Sequence, residues 1–524
     1  MMATLPMQVN NLGDLLAAID ALPDKITRAT ADSTEVGVAK HMVSLFLAYP
    51  GVSRDGRDYI QAAIAAGASA ILFESGDGKF EWDVRSLIPG IAVVGLKQYA
   101  SAIGAHVYRH PSTSMWMVGV TGTNGKTSVA QWCAHAFADA GRVAAVMGTI
   151  GNGLVSKPTA QKIQPLSQSV NTTADAVVIQ QTLREFADSG ATTCAMEVSS
   201  HGLDQGRVSD VKFDITVFTN LTRDHLDYHK SMDAYGEAKA QLFNQRGLKT
   251  AVVNVDDVFG REVANRTERR GVELIRYAVN GGAKFANLTA HNIAVSSAGL
   301  SFSVRWSGSS QVDEALVETE ILGAFNASNL VAVIGVLMAS GYSLVNAAAL
   351  VSNLKPVRGR METVRAEADS VNKPLVVVDY AHTPDALEKV LSTISAVVPD
   401  KGRLISVFGC GGDRDVGKRA LMGAVSAKYA DLTIVTSDNP RTEDAARIIE
   451  NITEGVANAP HRILADRRAA IITALTVATV DDIVVIAGKG HEDYQLIGHT
   501  KFHFSDVEIA TEALASWSAV KERA

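Results

Sequence analysis

The 524-residue chain is long for a single hydrophobic core, and length alone predicts about three domains. With 47% hydrophobic and 20% charged residues, extended disorder is excluded, and 42 Gly against 13 Pro suits tight strand-to-helix turns rather than a fibre. Its 49 basic and 56 acidic side chains give a net charge of −7, which argues against a nucleic-acid partner, and its three cysteines, Cys133, Cys194 and Cys410, supply neither a disulfide framework nor a cysteine zinc site.

The first twenty residues lack a basic stretch followed by a continuous apolar run, so no signal peptide is expected there. No apolar run reaches about 18 residues, so no membrane span or membrane partner is expected, and the cytoplasm is the expected compartment. Short apolar runs alternate with Ala- and Leu-rich helical stretches, a βαβα rhythm that predicts an α/β fold with parallel sheets. Turn-rich segments at His110–Ser114 and Leu354–Arg360 divide the chain into about 1–112, 113–354 and 355–524. The expected architecture is three domains: a central domain with a mostly parallel sheet around a phosphate loop, and a C-terminal doubly wound α/β domain. Alternating segments between 285 and 320 predict a small antiparallel appendage on the central domain.

The central domain opens on a buried strand, Met117–Val120, that runs into Thr121-Gly122-Thr123-Asn124-Gly125-Lys126-Thr127-Ser128 and then a helix. Glycines let backbone N–H groups curl around phosphate oxygens, the helix N-terminus adds partial positive charge, Lys126 reaches the terminal phosphates and the Thr127 or Ser128 hydroxyl suits Mg²⁺. The general pattern wants its first glycine at Val120, whereas this chain has Gly119 one residue early.

Three later strands end in polar groups: Glu197-Val198-Ser199-Ser200-His201, Thr219 through His225, and Asn254-Val255-Asp256-Asp257. Ligands sit outside the carboxyl ends of parallel strands, so these groups are expected to converge on the phosphates. Glu197 and His225 are candidate Mg²⁺ ligands, with a solvated turn histidine as the alternative for His225. Ser231 is expected to cap a helix over 232–243. At 100° per residue Lys239 falls inside its apolar stripe, either snorkelling at the edge or turned toward the site.

Four C-terminal strand ends repeat the arrangement, at Asp379-Tyr380-Ala381-His382, Gly409 through Arg414, Thr436 through Arg441, and Gly488-Lys489-Gly490-His491-Glu492. Arg414 and Arg441 with Asp438 and Glu492 suit a zwitterion, the guanidinium groups for carboxylates and the acids for ammonium groups.

The stretches TGTNGKT, NTT at 171–173, MEVSSHGLDQGRV at 196–208, NLTRDHLDYH at 220–229 and YGEAKAQLF at 235–243 resemble the Mur ligases of bacterial peptidoglycan synthesis. GAFNASN at 323–329, VRGRME at 357–362, VDYAHTPDAL at 378–387, GCGGDRDVGKR at 409–419, SDNPRTED at 437–444 and AGKGHEDYQ at 487–495 extend the match along the chain.

The resemblance implies an ATP- and Mg²⁺-dependent ligase with UDP-binding, ATPase and amino-acid-binding domains. It implies UDP-N-acetylmuramoyl-L-Ala-D-Glu and meso-diaminopimelate as substrates. Gly122, Thr123, Asn124, Gly125, Lys126, Thr127 and Ser128 would hold ATP, with Asn326, Asn329, Arg360, Asp379 and His382 on the adenosine side. Ala31, Ser33, Val52, Ser53 and Arg54, with Asn171, Thr172, Thr173, Ser199, Gln205 and Arg207, would hold the UDP-muramoyl dipeptide. Arg414, Asp438, Asn439, Pro440, Arg441, Gly488 and Glu492 would hold diaminopimelate. Lys126, Glu197, His225 and a carbamylated Lys239 would be catalytic, with Thr127, Glu197, His225 and Lys239 at the metal. Domain closure would exclude water from an acyl phosphate. The open alternatives are a ligase adding L-lysine or glutamate, and a nucleotide-binding protein without turnover.

Overall fold

The computed structural model describes residues 7–38, 42–51, 54–82, 88–155, 163–167, 172–308, 312–364 and 373–518. Backbone contacts group them into two compact units. One comprises 1–289, 306–312 and 331–350, the other 290–305, 313–330 and 351–524.

The first unit contains two sheets. A five-stranded sheet runs in the order Met7–Val9, Gly90–Val93, Ala70–Glu74, Ser44–Ala48, Arg28–Thr30, with every pairing parallel. Its central strands are apolar on both faces, as a sheet covered on both sides requires. Leu45, Leu47, Leu72 and Ile91 face a core with Leu15, Leu96 and Ile103, whereas Phe46, Ile71 and Phe73 face one with Ile60 and Trp82. The first core also takes in Ala176 and Val177 of the helix Ala176–Asp188. A Cβ at Gly104 would sit 3.1 Å from the Gln180 side chain, so the helix Leu96–Val107 closely approaches that central helix. The turn at 110–114 therefore does not interrupt packing.

The second sheet has parallel strands in the order Glu273–Ala278, Thr250–Asn254, Ile215–Phe218, Trp116–Thr121, Thr193–Glu197, Ala144–Met147. Asn152–Val155 and Ile163–Ser167 extend it antiparallel. The chain crosses to both sides of Trp116–Thr121, so that strand's carboxyl end lies at a topological switch point.

In the second unit the sheet order is Glu362–Val364, Leu375–Asp379, Ile483–Ala487, Leu404–Phe408, Leu432–Val435, His461–Ile463; only the first strand is antiparallel to its neighbour. One face packs on Leu387, Met422 and Ile452, the other on Ile471, Leu475 and Ile509, which is the doubly wound arrangement expected. The segment expected as an antiparallel appendage forms the adjacent strands Leu288–Ser296, Gly299–Trp306 and Asp313–Thr319. The third starts at Asp313 and ends at Thr319, inside the stretch expected to alternate. The two-residue turn joining the first two forces an antiparallel pair. Most of this segment groups with the second unit, where Glu318 N donates to Ser352 Oγ at 3.3 Å and Lys355 pairs with Glu320 at 3.0 Å. Among the described residues no helix is long and apolar enough to cross a membrane.

Candidate active site

The strand Trp116–Thr121 delivers the chain into a loop with Gly122 at φ 149° and Gly125 at φ 86°, and the helix Lys126–Asp139 starts there. A Cβ on Gly122 would collide with Thr219 Oγ1, so only glycine fits. Gly119, early for a phosphate glycine, lies in the strand, where a Cβ would sit 2.9 Å from the Phe213 ring. Its smallness serves packing, not phosphate.

The turn after Ile215–Phe218 clasps the loop. Thr219 Oγ1 donates to Asn124 O at 2.6 Å, Asn220 Oδ1 accepts from Asn124 N at 2.9 Å, and Thr123 N donates to Asn220 O at 2.8 Å. Thr222 N donates to Thr123 Oγ1 at 3.0 Å. The loop is thus pre-shaped before any ligand arrives. Lys126 Nζ donates to Gly122 O and Thr123 O, both at 2.9 Å.

Thr127, in the first turn of that helix, donates its hydroxyl to Glu197 Oε2 at 2.8 Å. Glu197 is 1% exposed, and its Oε1 accepts from Thr149 N at 2.8 Å. A hydroxyl and a carboxylate at a helix N-terminus are hard oxygen donors of the kind Mg²⁺ takes. Among the described residues no three His, Cys, Asp or Glu side chains form a metal-holding group by themselves, so a cation here needs ligand oxygens as well.

His225 occupies a left-handed position, φ 53°, before the short helix Leu226–His229. Its ring lies 4.9 Å from that of His201 and 5.9 Å from that of Tyr235, with Nε2 3.5 Å from Asp224 Oδ2. Burial lowers its pKa, Asp224 opposes that, and the charges of Lys126 and Lys239 add to it.

Lys239 does not snorkel. Ser231 caps its helix, Met232–Ala240, and the lysine is 1% exposed. Its Nζ donates to Gly122 O at 2.9 Å and lies 4.3 Å from the Tyr235 ring centroid. The Nζ atoms of two lysines therefore meet one carbonyl. Burial first, then the Lys126 charge, holds the Lys239 pKa well below the lysine range.

The expectation that Asn254, Asp256 and Asp257 face phosphate is corrected. Asn254 Nδ2 donates to Thr219 O at 2.7 Å. Asp257 accepts from Leu221 N and Gly260 N, and Asp256 from Val279 N and Gly282 N. These carboxylates satisfy backbone donors of the surrounding turns.

Of the residues expected to hold the dipeptide, Thr173, Ser199, Gln205 and Arg207 come together. Thr173 Oγ1 donates to Glu197 O at 3.1 Å and accepts from Ser199 N at 2.9 Å. Ser199 caps the helix Ser200–Asp204. Arg207 donates to Thr173 O at 2.5 Å and to Gln205 Oε1 at 2.6 Å. The buried Thr173 hydroxyl thus shapes the wall, while Arg207 and Gln205 form its polar fork. Thr172 Oγ1 accepts from Thr149 Oγ1 at 3.1 Å. Ala31 and Ser33 lie half-buried at the end of the strand Arg28–Thr30, and Arg54 is exposed. Val52, Ser53 and Asn171 lie outside the described residues.

In the second unit, Asp379 accepts from Met361 N at 2.7 Å and Ala381 N at 2.8 Å. Burial raises its pKa, against the pull of Arg360. Arg360 lies over the Tyr380 ring at 4.7 Å, and His382 Nδ1 is 2.9 Å from Tyr380 O. Asn326 Nδ2 donates to Leu322 O at 2.7 Å, and Asn329 Nδ2 to Asn326 Oδ1 at 2.9 Å.

Among the residues expected to hold the amino acid, Asp438 and Asn439 are buried, and Arg441 sits at φ 52° after Pro440. That left-handed backbone is costly for a non-glycine residue and aims a guanidinium whose Nη1 donates to Gly412 O at 2.8 Å. A Cβ on Gly488 would lie 2.6 Å from Asp438 Oδ2. Glu492 Oε2 accepts from Asn439 Nδ2 at 2.8 Å and Lys489 Nζ at 3.1 Å. Arg414 is exposed, its Nη1 donating to Asp413 O at 3.1 Å.

Motif reading gave no role to Lys489 or to Arg467, whose guanidinium is fully buried against Asp506 and donates to Ser437 O and Ala487 O. Both support the strand ends that carry Asp438 and Gly488. Neither stands out by periodicity, and only their position beside strand ends signals them.

A clasped glycine loop that opens a helix at a switch point is the arrangement of a nucleotide-binding α/β enzyme. Residues 25–108 match the family described as Mur ligase family, catalytic domain; 120–337 match Mur ligase middle domain; 359–490 match Mur ligase, glutamate ligase domain. The chain belongs to the Mur ligase family. It is 46% identical over 503 residues to the UDP-N-acetylmuramoyl-L-alanyl-D-glutamate–2,6-diaminopimelate ligase of Chromobacterium violaceum, covering 96% of this chain and 97% of that one. The Neisseria meningitidis serogroup A protein of the same name is 46% identical over 472 residues, 90% of this chain and 92% of that one. A solved structure of a ligase of that name aligns at TM-score 0.65 and 34% identity, covering 94% and 95% of the two chains.

Proposed function

We propose that the chain joins meso-diaminopimelate to UDP-N-acetylmuramoyl-L-alanyl-D-glutamate at the expense of ATP, a step of peptidoglycan precursor synthesis. The observation that carries this is one chain holding both a clasped phosphate loop and the Asn439–Arg441–Glu492 turn, in a family whose relatives bear that name. A nucleotide-linked substrate and ATP suit a cytoplasmic reaction. Residues 1–112 would bind the UDP moiety, 113–354 ATP, and 355–524 the amino acid.

The D-glutamate γ-carboxylate attacks the γ-phosphorus of ATP, giving an acyl phosphate and ADP. The diaminopimelate amine then attacks the acyl carbon, and the tetrahedral adduct expels phosphate as the amide forms. Lys126, leaving its loop carbonyls for phosphate oxygens, neutralises charge on the transferring group. Mg²⁺ would supply further charge neutralisation, held by Thr127 and Glu197 with His225 nearby. Because burial and Lys126 hold its pKa well below the ordinary lysine value, the Lys239 amine loses its proton more readily than a surface lysine and is the better placed to take up CO₂. The resulting carbamate would turn a cation into an anion that steadies the metal. Arg207 and Gln205 would grip the dipeptide, while Arg441 and Glu492 would take the distal carboxylate and ammonium of diaminopimelate.

The test is phosphate release from ATP with UDP-muramoyl dipeptide across an amino-acid panel. Release that requires the dipeptide and meso-diaminopimelate together is expected. Equal release with L-lysine, or full release with no amino acid, would overturn the reading.

A further inference from the structure

Two lysines are buried among the described residues, Lys239 and Lys489. The second follows the strand Ile483–Ala487, between Gly488 at φ 116° and Gly490 at φ 54°. These two glycines have no room for side chains: one backs onto Asp438, and the other onto Gly359 O and Tyr380 Cβ, both at 2.7 Å. The backbone on either side of Lys489 is therefore pinned, and its side chain is 0% exposed.

Its ammonium reaches two groups, Asn439 Oδ1 at 3.1 Å and Glu492 Oε2 at 3.1 Å, with the Tyr494 ring centroid 5.4 Å away. Asn439 Oδ1 also accepts from Leu496 N at 2.8 Å. Both of these partners can only donate, so the amide oxygen must face them and the NH₂ group must face Glu492, where Nδ2 donates to Oε2 at 2.8 Å. Lysine, amide and carboxylate form a closed triangle in which each edge fixes the other two. It commits Oε2 of Glu492 to the protein and leaves Oε1, which has no protein donor among the described residues, for a ligand's ammonium.

We infer that Lys489 is a positioning residue for amino-acid specificity: it holds the Asn439 amide and the Glu492 carboxylate in the single arrangement that recognises a diamino acid's distal ammonium. Lys489 touches no substrate in this role and acts only through its two partners. Without it, the amide is free to flip and Glu492 is free to turn Oε2 outward. The inference rests on the ligase reading above.

The test uses full-length protein with Lys489→Met, which keeps volume and removes the ammonium. Diaminopimelate-dependent phosphate release by the wild type comes first; its absence sinks the ligase reading and leaves the triangle unaddressed by kinetics, so the Asn439 amide and Glu492 orientation are then read by crystallography of the variant. Given that activity, the KM for meso-diaminopimelate should rise on the order of 10- to 100-fold, while those for ATP and the dipeptide stay within about twofold. Lys489→Met should add little to Glu492→Gln in the double variant, because both break the same triangle. If Lys489→Met fails to fold, Lys489→Leu, which also removes the donor, takes its place in the cycle. Equal rises in all three KM values, additive effects in the cycle, or an unmoved amide and carboxylate in the variant structure would overturn the inference.

Discussion

Lys239 lies against the glycine loop at Gly122 and Lys489 against the turn that carries Asn439, and both side chains are out of solvent. Their surroundings are opposite. Lys239 meets a carbonyl, an aromatic face and the repelling charge of Lys126. Lys489 meets a carboxylate and an amide oxygen in a closed triangle. A buried cation without an ion-pair partner is pushed toward its neutral, nucleophilic form, whereas a carboxylate and an amide oxygen hold the Lys489 ammonium in one place. On the roles proposed above, the first environment would make a reactive amine and the second a clamp, so burial alone does not tell what a lysine is for.

The largest test of the phosphate-loop side is Lys126→Ala. Removing the cation that meets the transferring phosphoryl group should cost on the order of 10³-fold or more in kcat, with circular dichroism unchanged. Near-normal ligation by the folded variant would dismiss the loop as a catalytic site. The substitution also removes the Lys126 charge that helps depress the Lys239 pKa.

Lys239→Ala should lose about 10²- to 10³-fold of kcat, the range seen when one electrostatic group is taken from a preorganised site. Lys239→Arg should fail alike, since a guanidinium cannot become a carbamate. Short carboxylates added to Lys239→Ala should restore part of the rate, and ¹³C-bicarbonate should label the wild type but not the arginine variant. Normal turnover by Lys239→Arg would make the two buried lysines the same kind of residue.

On the amino-acid side, Arg441→Ala should raise the KM for meso-diaminopimelate about 30-fold or more, the cost of truncating one partner of a buried charge pair, with little change for ATP. The wild type should strongly prefer meso-diaminopimelate to L-lysine, which lacks the distal carboxylate. Comparable kcat/KM for the two amino acids would show Arg441 to be a strained turn residue with no ligand.

Much of this was readable before any coordinates. The phosphate loop, the polar strand ends and the doubly wound C-terminal sheet all follow from short apolar runs that end in glycine or charge, which local pattern reports directly. Lys239 drew attention because a lysine in an apolar stripe breaks a period. Lys489 breaks none, since a glycine-flanked turn has no period to break. The edge strands Asn152–Val155 and Ile163–Ser167 and the exposed hairpin Tyr494–Ile497 with Thr500–His503 also went unread, because only their partners define them. Asn254, Asp256 and Asp257 were misassigned for a related reason. A carboxylate at a strand end satisfies turn N–H groups as readily as a ligand, and sequence does not distinguish the two.

The smallest effect is also the most direct comparison of the two lysines, because it needs no substrate. In metal-free, CO₂-depleted buffer, Lys239→Met removes an amine whose desolvation is poorly repaid and should stabilise the protein by about 1 kcal/mol. Lys489→Met leaves Glu492 and Asn439 short of a donor and should destabilise it by about 1–3 kcal/mol. The Lys239 effect carries a pH signature. Its folded pKa lies below the ordinary value of 10.5, so between the two the unfolded chain holds a proton that the folded chain lacks. Wild-type stability therefore rises with pH across that window, and the full penalty applies below the folded pKa. Lys239→Met lacks this slope, so its advantage should shrink as pH approaches 10.5. Thermal unfolding midpoints of the two variants measured across that range give the sign of each effect without assuming two-state behaviour. Shifts of the same sign, or a Lys239→Met advantage that grows with pH, would mean that Lys239 is charged and paired in the folded protein, and the contrast between reactive amine and clamp would be lost.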